Sequence, residues 1–468
     1  MLNGIHWCDD CNVPIIGEKC ENCFKEANFV ALSRAADARP AFENDIRLIK
    51  SLLREWIGQH ALKKLNMERK IVLLNRLPYL DKAYEVLIDG KILCHVFFDL
   101  YTFKWKVKPL KPLCSLIIEE NLEKIAFVNK EKVSKGEILN SADFKYDAGE
   151  SEDLVCLFSR DEKSLGLGFL TDNKIIVLKA WSPSKPCYNF GKKASFKDAI
   201  KANKLSIEHF ESRACSFLER YVNRFKRKTI ISYSGGKDSL ICLLLSLKTG
   251  INAKLLFTST CLEMPETLKN VKRVVEALEI DVIKAEADCT EFWSKAEEVG
   301  PPARDFRWCS QVCKLKPTKK VLASFGETLC IVGQRKAESL KRASSQAVWK
   351  NRYLPNVINI TPIQNWKALL IWLYLIKNGK ENLVNELYFK GFDRVGCYMC
   401  PSATIADFKM VKEWHPKLWE KWEVFLQKWK KRNNLEDAWL TYALWRWKRR
   451  TPKGMRNFLG KSSIKTVF

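Results

Sequence analysis

The residues with the strongest chemical signature stand at positions 234–239, where the chain reads SGGKDS. The two glycines let backbone amides approach a ligand closely, Lys237 adds a cation, and Ser234 and Ser239 add hydroxyl donors. An apolar β-branched run precedes the cluster and LICLLLSL follows it, so a helix beginning here would aim its free N–H groups at the same spot. The cluster predicts a phosphate or pyrophosphate site that is not a Walker loop. A purely structural glycine-rich turn is the alternative.

Four cysteines near the start form the pattern C-x2-C-x8-C-x2-C, at Cys8, Cys11, Cys20 and Cys23. Two such pairs supply the four thiolates that a closed tetrahedral zinc site needs. The first forty residues are too short to build a core, so a bound metal would give this segment its fold. The pattern predicts structural zinc, with a labile redox role as the alternative.

A second set of cysteines is split into two distant pairs, Cys309 with Cys313 and Cys397 with Cys400. Four thiolates suit a [4Fe–4S] cluster and zinc equally well by ligand type, and unligated thiols are a third alternative. The chain has 17 cysteines and no secretory signal at its N-terminus, so we expect metal or redox chemistry rather than a disulfide framework. The remaining cysteines stand singly, which is typical of small buried hydrophobes.

The composition favours a polyanionic partner. Formal net charge is +26, from 80 Lys+Arg against 54 Asp+Glu, and such a surplus suits nucleic acid because each neutralised phosphate releases condensed counterions. A merely solubilising role is the alternative. There is no run of 18 apolar residues, so we expect a cytoplasmic protein with no membrane contact.

The C-terminal segment concentrates basic and aromatic residues. The last 68 residues hold 16 Lys+Arg against 6 Asp+Glu. An aromatic stripe at helical spacing is more typical of packing on a neighbouring domain than of binding, and it comprises Trp419, Trp422, Phe425 and Trp429. The basic run after it suits an RNA phosphate backbone, and its cations are Arg446, Lys448, Arg449, Arg450, Lys453 and Arg456.

Regular elements must position these residues. Strand–helix alternation starts at residue 228 with KTIISYS and continues through AKLLFTS and TLCIVG, which predicts parallel βαβ units in a doubly wound α/β sheet. Residues 44–70 and 205–226 have the apolar period of helices. YEVLIDGKILCHVFF reads as a hairpin that turns at Asp89 and Gly90. Short β runs fill residues 118–183, and SPSKPCYNFGKK has the composition of a linker.

Six motifs in residues 228–403 resemble, in type and order, those of the phosphoadenosine-phosphosulfate (PAPS) reductase family of the PP-loop, or adenine nucleotide α-hydrolase, superfamily. SGGKDS resembles its PP-loop. LLFTSTCLEMPETLKNV resembles its second-strand motif, with Ser259, Thr260 and Cys261 where Asp-Thr-Gly is usual. FRWCSQVCKLKP, GQRKAESLKR, ITPIQNW and GFDRVGCYMCPS resemble the motifs that follow. Thiol-dependent reductases of the family carry a nucleophilic cysteine in a C-terminal tail, and this chain has no cysteine after Cys400.

The resemblance extends to the domain plan. SLGLGFLTDNKIIVLKAW is similar to the closing strand pair of PUA domains, which bind RNA, and archaeal members of the superfamily combine a zinc ribbon, a PUA-like domain and a PP-loop domain. The expected segments are a zinc ribbon (1–40), an α/β connector with a hairpin (41–117), a PUA-like β domain (118–183), a linker and helix (184–226), the PP-loop domain (227–403) and a basic aromatic extension (404–468).

The resemblance also implies the composition of the site. Lys237 and Ser239 would bind the phosphates of ATP, or of PAPS or adenylyl sulfate (APS), while Asp238 would hold Mg²⁺ or order the loop. The full set of expected nucleotide contacts is Ser234, Gly235, Gly236, Lys237, Asp238, Ser239, Thr258, Ser259, Thr260, Gly333 and Arg335. The two distant cysteine pairs would converge beside the nucleotide as a [4Fe–4S] or zinc site. The candidate catalytic residues are Lys237, Asp238, Cys309 and Cys400.

Three functions follow from these features. Charge, the PUA-like segment and the absent C-terminal cysteine favour ATP-dependent thiolation of an RNA base, as in tRNA, where adenylylation of a base oxygen precedes displacement of AMP by sulfur delivered through the cluster. The family motifs favour the alternative, reduction of PAPS or APS to sulfite. A non-catalytic RNA-binding or sulfur-sensing module is the third. A sulfur donor or reductant protein would be a further partner.

Overall fold

The computed structural model describes residues 3–34, 36–119, 124–146 and 152–460. The chain divides into two compact units, with the boundary between Asn203 and Lys204. Unit 1 is the described part before this boundary and unit 2 the described part after it. The boundary lies inside the segment 184–226, where the sequence predicts a linker and a helix.

The described part of unit 1 forms fourteen strands and three α-helices. The strands are β1 (Gly4–Cys8), β2 (Val13–Ile15), β3 (Asn28–Ala31), β4 (Arg39–Pro40), β5 (Leu73–Arg76), β6 (Ala83–Ile88), β7 (Lys91–Asp99), β8 (Lys104–Pro109), β9 (Ile125–Val128), β10 (Ile138–Leu139), β11 (Phe144–Lys145), β12 (Glu152–Ser159), β13 (Ser164–Thr171) and β14 (Lys174–Ser184). The helices are α1 (Glu43–Leu65), α2 (Lys111–Glu119) and α3 (Phe196–Lys201).

These strands form three sheets. The first two are antiparallel, with the orders β2-β1-β3 and β4-β5-β6-β7-β8. The third has the order β10-β14-β13-β12-β9-β11, and within it β12 and β9 run parallel. One apolar core contains side chains of α1, of the second sheet and of β9, β12 and β13. The expected connector (41–117) and β domain (118–183) therefore share a core; the residues 120–123 and 147–151 of the latter lie outside the described part.

Several local predictions for unit 1 are confirmed. The helix expected at 44–70 is α1, and the hairpin joins β6 to β7 through Asp89 and Gly90. The stretch SPSKPCYNFGKK, which has the composition of a linker, is packed against unit 1 at Tyr188. The Tyr188 side chain is only 5 % exposed, and its hydroxyl donates to Asp89 Oδ2 at 3.2 Å. Composition alone did not reveal that burial.

Asn203 ties the end of unit 1 to its beginning. Its side-chain amide donates to the carbonyl of Pro14 at 2.9 Å and its Oδ1 accepts from the amide of Ile16 at 2.6 Å. The residue is fully buried. Buried amide groups are stable only when they are hydrogen-bonded, so Asn203 holds β2 and the first sheet against the C-terminal end of this unit.

The described part of unit 2 forms six strands and twelve α-helices. The strands are β15 (Lys228–Tyr233), β16 (Ala253–Ser259), β17 (Val282–Glu286), β18 (Thr328–Val332), β19 (Val348–Lys350) and β20 (Val357–Ile360). The helices are α4 (Lys204–Phe225), α5 (Lys237–Lys248), α6 (Pro265–Leu278), α7 (Cys289–Val299), α8 (Trp308–Ser310), α9 (Lys316–Leu322), α10 (Leu340–Ala343), α11 (Ala368–Lys377), α12 (Ile405–Trp414), α13 (Pro416–Arg432), α14 (Asp437–Thr441) and α15 (Lys453–Leu459).

The sheet of unit 2 has the order β17-β16-β15-β18-β20-β19, with all neighbours parallel except the edge pair of β19 and β20. The predicted α/β fold with a parallel sheet is confirmed. Chain order reverses between β15 and β18, and ligands of such folds bind at this switch point, beyond the carboxyl ends of the strands. The SGGKDS loop follows β15 at that place.

The predicted aromatic stripe packs inside unit 2. Trp422 is fully buried, with its ring centroid 6.1 Å from that of Trp293 in α7 and 5.3 Å from that of Trp445. Trp419 lies 5.3 Å from Phe408 of α12 by the same measure. The packing interpretation of this stripe is therefore confirmed.

Two cysteine pairs lie in disulfide contact, Cys114 with Cys156 in unit 1 and Cys261 with Cys289 in unit 2. The sequence predicts single buried thiols at these positions; none of the four is single, whereas burial is confirmed for Cys114 and Cys156 and is wrong for the half-buried Cys261 and the exposed Cys289. The partners are 42 and 28 residues apart, so only tertiary structure brings them together. No described helix has the length and hydropathy needed to cross a bilayer.

Candidate functional site

The SGGKDS loop forms a tight turn from β15 into α5. Gly235 has φ +74°, a left-handed conformation that favours glycine, and a Cβ there would come within 2.9 Å of Thr267 Cγ2. Gly236 is the N-cap of α5. Within the described part of the chain, the amide N–H groups of these two glycines have no hydrogen-bond acceptor. Free amides at a helix N-terminus make a ready anion site.

Asp238, in the first turn of α5, is held between two cations. Its Oδ2 lies 2.8 Å from Lys237 Nζ and its Oδ1 lies 2.6 Å from Arg335 Nε. Burial favours the neutral forms, yet the Asp238 carboxylate raises the pKa of Lys237, and the Lys237 and Arg335 cations lower the pKa of Asp238. All three groups are therefore charged near neutral pH.

This ion triad modifies two expected roles. Lys237 is 6 % exposed and its ammonium faces Asp238 and the ring of Tyr388, whose centroid is 5.1 Å away. Both carboxylate oxygens of Asp238 are occupied by cations, an arrangement that fits the role of ordering the loop and does not fit that of a Mg²⁺ ligand. Arg335, expected as a nucleotide contact, anchors Asp238 from the loop after β18.

Gly333 and Ser239 complete the turn. A Cβ on Gly333 would lie 2.6 Å from the backbone of Asp238 and Ser239, so only glycine lets the end of β18 approach α5 this closely. The Ser239 hydroxyl donates to the carbonyl of Gly236 at 2.8 Å and lies 3.4 Å from the hydroxyl of Ser234. Both serines thus stabilise the loop itself.

The expected second-strand residues divide into two groups. Thr258, in β16, shares a hydrogen bond of 3.1 Å with the hydroxyl of Thr318 in α9. Ser259 ends that strand. Thr260 is 2 % exposed, and its hydroxyl contacts Cys397 Sγ at 3.5 Å; both its amide and its hydroxyl donate to Glu263 Oε1. Thr260 therefore joins the second-strand loop to the cysteine segment and is too enclosed to reach a nucleotide.

A cavity of about 460 Å³ lies on one face of the sheet. Alternate residues of β15, β16, β18 and β20 line its floor, including Ser232 and Thr258, because side chains two apart share a face. Its volume is in the range of small-ligand pockets. Of the expected nucleotide contacts, Thr258 lines this cavity, and the loop residues 234–239 do not.

The opposite wall of the cavity contains residues that none of the sequence motifs indicated. Thr318 comes from α9, and Trp349, Arg352 and Tyr353 come from the segment around β19. Lys314, which directly follows Cys313 within the FRWCSQVCKLKP motif, adds a further cation. The sequence WKNRY, residues 349–353, interleaves aromatic and basic residues, and that pattern could have identified this wall.

The two distant cysteine pairs are brought together. The backbone of Cys397 forms an isolated antiparallel β-bridge with that of Glu263, which lies beyond β16. The Arg307 guanidinium donates to the hydroxyl of Ser402 at 2.6 Å. Burial raises the pKa of the Cys309 thiol and the Cys400 thiolate adds to the rise. The four side chains are close enough to interact.

Their spacing is wider than that of a single-ion site. Burial raises the pKa of the Cys313 thiol to about 12, and the nearby thiolates of Cys397 and Cys309 add to this rise. Burial likewise raises the pKa of Cys397 to about 11. Among the described residues, three or more ligand atoms within 4.8 Å of one another occur only in the N-terminal cysteine group. The Cys309 set is thus too open for one zinc ion as placed, while a cluster, being larger, holds its thiolates farther apart.

The N-terminal cysteines, in unit 1, are arranged for a metal. The sulfur atoms of Cys8, Cys11, Cys20 and Cys23 all lie within 4.8 Å of one another. Cys8 Sγ is 3.4 Å from Cys23 Sγ and Cys20 Sγ is 3.8 Å from Cys11 Sγ. With Zn–S bonds of about 2.3 Å a tetrahedral site needs sulfur separations of about 3.8 Å. The donor set therefore fits a closed four-thiolate site.

The basic C-terminal run is not uniform. Arg446 is 1 % exposed, donates to the carbonyl of Ala403 at 2.8 Å and lies over the ring of Trp447. Its expected contact with RNA phosphate is therefore wrong, because the tryptophan-rich core encloses the guanidinium. The other cations of the run are exposed or partly exposed: Lys448, Arg449, Arg450, Lys453 and Arg456.

Comparisons with known proteins identify the architecture. Residues 228–403 match the phosphoadenosine phosphosulfate reductase domain. The protein MJ0066 of Methanocaldococcus jannaschii is 34% identical over 470 residues, covering 95% of this chain and 96% of its own. An adenosine 5′-phosphosulfate reductase of Staphylococcus epidermidis is 26% identical over 205 residues, 43% of this chain and 81% of its own.

A solved structure, phosphoadenylyl-sulfate (PAPS) reductase from Candida auris, matches 42% of this chain and 95% of its own at 19% identity and a TM-score of 0.34. The similarity to MJ0066 spans both units, and the domain match begins with β15 and ends beyond Cys400. The chain therefore belongs to the family of MJ0066, and its residues 228–403 are a phosphoadenosine phosphosulfate reductase domain of the PP-loop superfamily.

Proposed function

We propose that unit 2 is an adenine-nucleotide-dependent sulfur-transfer enzyme whose reaction is the ATP-dependent thiolation of an RNA base, with tRNA as the substrate class. The observation that carries the proposal is one of placement. The glycine-rich SGGKDS turn, a cavity of about 460 Å³ and four converging cysteines all lie on the same domain of the chain. Nucleotide activation and sulfur chemistry are the two functions this combination serves.

The nucleotide would be held by its two ends. Phosphates suit the free amides of Gly235 and Gly236 at the start of α5, where the helix dipole favours negative charge. The adenosine suits the cavity, where Thr258 and Thr318 offer hydroxyls and Trp349 offers an aromatic surface. Arg352, at the same cavity, adds a positive charge toward an anionic ligand.

The reaction is balanced without an external oxidant. A base carbonyl oxygen attacks the α-phosphorus of ATP and pyrophosphate leaves. A hydrosulfide then attacks the activated carbon, AMP leaves with the oxygen, and the sulfur loses its proton to give the thiocarbonyl. Cys309, Cys313, Cys397 and Cys400 would hold an iron–sulfur cluster, which supplies a sulfur-binding or electron-transfer group when bound. The ion triad around Asp238 keeps the loop ordered and so holds the phosphates in position.

Charge supports RNA as the acceptor. The net charge is +26, and the cations of the C-terminal run from Lys448 to Arg456 lie at the surface of the domain that carries the site. Counterion release from phosphates would supply most of the non-specific affinity. A small sulfonucleotide substrate does not need this surface.

Reduction of adenosine 5′-phosphosulfate to sulfite and AMP is the second candidate. The name of the Staphylococcus epidermidis relative favours it. This reaction consumes two electrons from a reductant and needs no RNA.

One experiment separates the two candidates. The full chain, purified anaerobically, is incubated with ATP, sulfide and tRNA, and in parallel with adenosine 5′-phosphosulfate and dithiothreitol. We expect AMP, pyrophosphate and a thionucleoside, detected by mass spectrometry, only when tRNA is present. Sulfite release without RNA would instead establish the second candidate, and absence of both products would overturn the proposal. Arg352→Ala should lower ATP affinity, whereas Lys319→Ala, an exposed cation of α9 outside the cavity, should not.

A further inference from the structure

The Cys261–Cys289 pair lies at the carboxyl edge of the unit 2 sheet. β16 and β17 are parallel neighbours that place Ser259 beside Glu286, and the amide of Ala287 donates to the carbonyl of Ser259 at 2.9 Å. Each strand is followed by a short segment ending in a cysteine. Because the carboxyl ends of parallel strands meet at one edge, the two thiols come together with their Cα atoms 5.9 Å apart.

The backbone at Cys261 points to a role for its side chain. Cys261 has φ +56°, in the left-handed region that non-glycine residues rarely adopt. A cysteine in this conformation is less favourable than a glycine, and such residues cluster at functional sites. The side chain at this position is used, because it makes the contact with Cys289.

Accessibility distinguishes this pair from the other disulfide pair of the described residues. Cys289 is exposed and Cys261 is half-buried. Cys114 and Cys156 are both fully buried, and their Cα atoms are also 5.9 Å apart. Thiol–disulfide exchange requires an attacking thiolate to reach a sulfur atom, so of these two pairs only Cys261–Cys289 is open to an external thiol.

The pair also adjoins the cysteine segment of the site. Cys261 directly follows Thr260, whose hydroxyl contacts Cys397 Sγ at 3.5 Å. The next residue, Leu262, accepts a backbone hydrogen bond of 2.9 Å from Tyr398. The segment that carries Cys261 is therefore in direct contact with the loop that holds Cys397.

We propose that Cys261 and Cys289 form a redox-active dithiol/disulfide site that exchanges electrons with an external dithiol reductant. A thiolate of the reductant attacks the exposed Cys289 sulfur, the Cys289–Cys261 bond breaks, and Cys261 leaves with the electron pair and takes a proton. The second thiol of the reductant then attacks the reductant sulfur that is bonded to Cys289 in the mixed disulfide. Cys289 leaves as a thiolate and takes a proton. Two electrons and two protons pass to the pair, and the reductant leaves as a disulfide.

The site does not depend on which sulfur reaction unit 2 catalyses. Its test uses the full chain without nucleotide or RNA, so its outcome is independent of the proposed function. Oxidised protein is treated with dithiothreitol at several ratios of reduced to oxidised reagent, alkylated, and mapped by peptide mass spectrometry. We expect Cys261 and Cys289 to be alkylated together in the folded protein. Cys114 and Cys156 serve as the control, and should react roughly 100-fold more slowly because they need local unfolding.

A variant tests the exchange step. In Cys261→Ser, 5,5′-dithiobis(2-nitrobenzoate) should leave a stable adduct on Cys289, because the resolving sulfur is gone, whereas the wild-type protein should lose that adduct by forming the Cys261–Cys289 disulfide. Reduction of this pair only after unfolding, or at the rate of the buried pair, would overturn the proposal. The proposal would also be overturned if Cys261 and Cys289 were both free thiols at every ratio of reduced to oxidised dithiothreitol.

Discussion

Arg335 Nε lies 2.6 Å from Asp238 Oδ1, which fastens the loop after β18 to the first turn of α5. Arg335 is 3 % exposed, so the pair is screened from water. Removing one partner of a buried ion pair leaves an uncompensated charge, whereas exposed pairs contribute little. The SGGKDS turn therefore depends on a residue 97 positions further along the chain.

We expect Arg335→Met to lower the free energy of unfolding of unit 2 by about 3 kcal/mol and to weaken ATP binding. Arg227→Met is the matched control, since Arg227 pairs with Glu327, whose side chain is 71 % exposed, and should cost less than about 1 kcal/mol. Urea unfolding and calorimetric ATP titration measure both effects. Equal losses in the two variants would contradict a special role for the Asp238 pair.

The N-terminal cysteine group should hold one zinc ion. Cys8→Ser removes one of four thiolates whose sulfurs lie within 4.8 Å of one another, so zinc content should fall by about one ion per chain and the Tm of unit 1 should drop. Cys94→Ser, at a buried thiol outside the group, should keep the zinc. Elemental analysis with thermal unfolding decides this, and iron in place of zinc would refute the zinc assignment.

The Cys309, Cys313, Cys397 and Cys400 set should hold an iron–sulfur cluster. Anaerobically purified protein should be brown, with iron and acid-labile sulfide in equal amounts. Cys400→Ser should remove the colour, while Cys215→Ser, a half-buried thiol of α4, should not. Colourless wild-type protein with two zinc ions per chain would show instead that both cysteine groups bind zinc.

RNA binding should depend on the exposed part of the basic run. Alanine at Arg449, Arg450, Lys453 and Arg456 removes four exposed cations, and the slope of log affinity against log salt should fall by about 0.7 for each phosphate that is no longer neutralised. Filter binding to single-stranded RNA at several salt concentrations measures the slope. The control removes four exposed cations of α6 and α9, Lys269, Lys272, Lys319 and Lys320. A slope that changes equally in both variants would show non-specific attraction.

Unit 1 should lose stability in weak acid because of His95. Burial, which outweighs the attraction of Glu85, lowers the pKa of His95 to about 4 from 6.5. The unfolded chain therefore binds more protons between these two values, so stability is highest above about pH 6.5 and is lost as the pH falls toward 4. Between pH 7 and pH 5 we expect a loss of about 2 kcal/mol, by linkage. In His95→Asn this loss should disappear from urea unfolding curves, and an unchanged pH dependence would contradict the assignment.

Patterns of short range predicted much of this molecule. The period of α1, the hairpin at Asp89 and the turn from β15 into α5 each depend on a few neighbouring residues, so their sequences were sufficient. The convergence of Cys309 with Cys400 came from a family resemblance, since no local rule joins residues so far apart.

What could not be predicted depends on tertiary contacts. Arg446 reads as part of a basic run, and only the aromatic core around it shows that it is enclosed. Lys237 reads as a phosphate ligand, yet the neighbouring Asp238 captures its ammonium in a buried pair. The pairing of Cys261 with Cys289 requires the parallel register of β16 and β17, which sequence periodicity does not specify.

The contact of Asn203 with Pro14 and Ile16 has a consequence for biosynthesis. The backbone amide of Ile16 donates its hydrogen bond to Asn203, which stands 187 residues later in the chain. At translation rates of about 5–20 residues per second, roughly 10–40 s pass before Asn203 is even made. The cysteine-rich first sheet must therefore emerge from the ribosome without this anchor, and capture of a metal ion during that interval would keep the nascent segment folded.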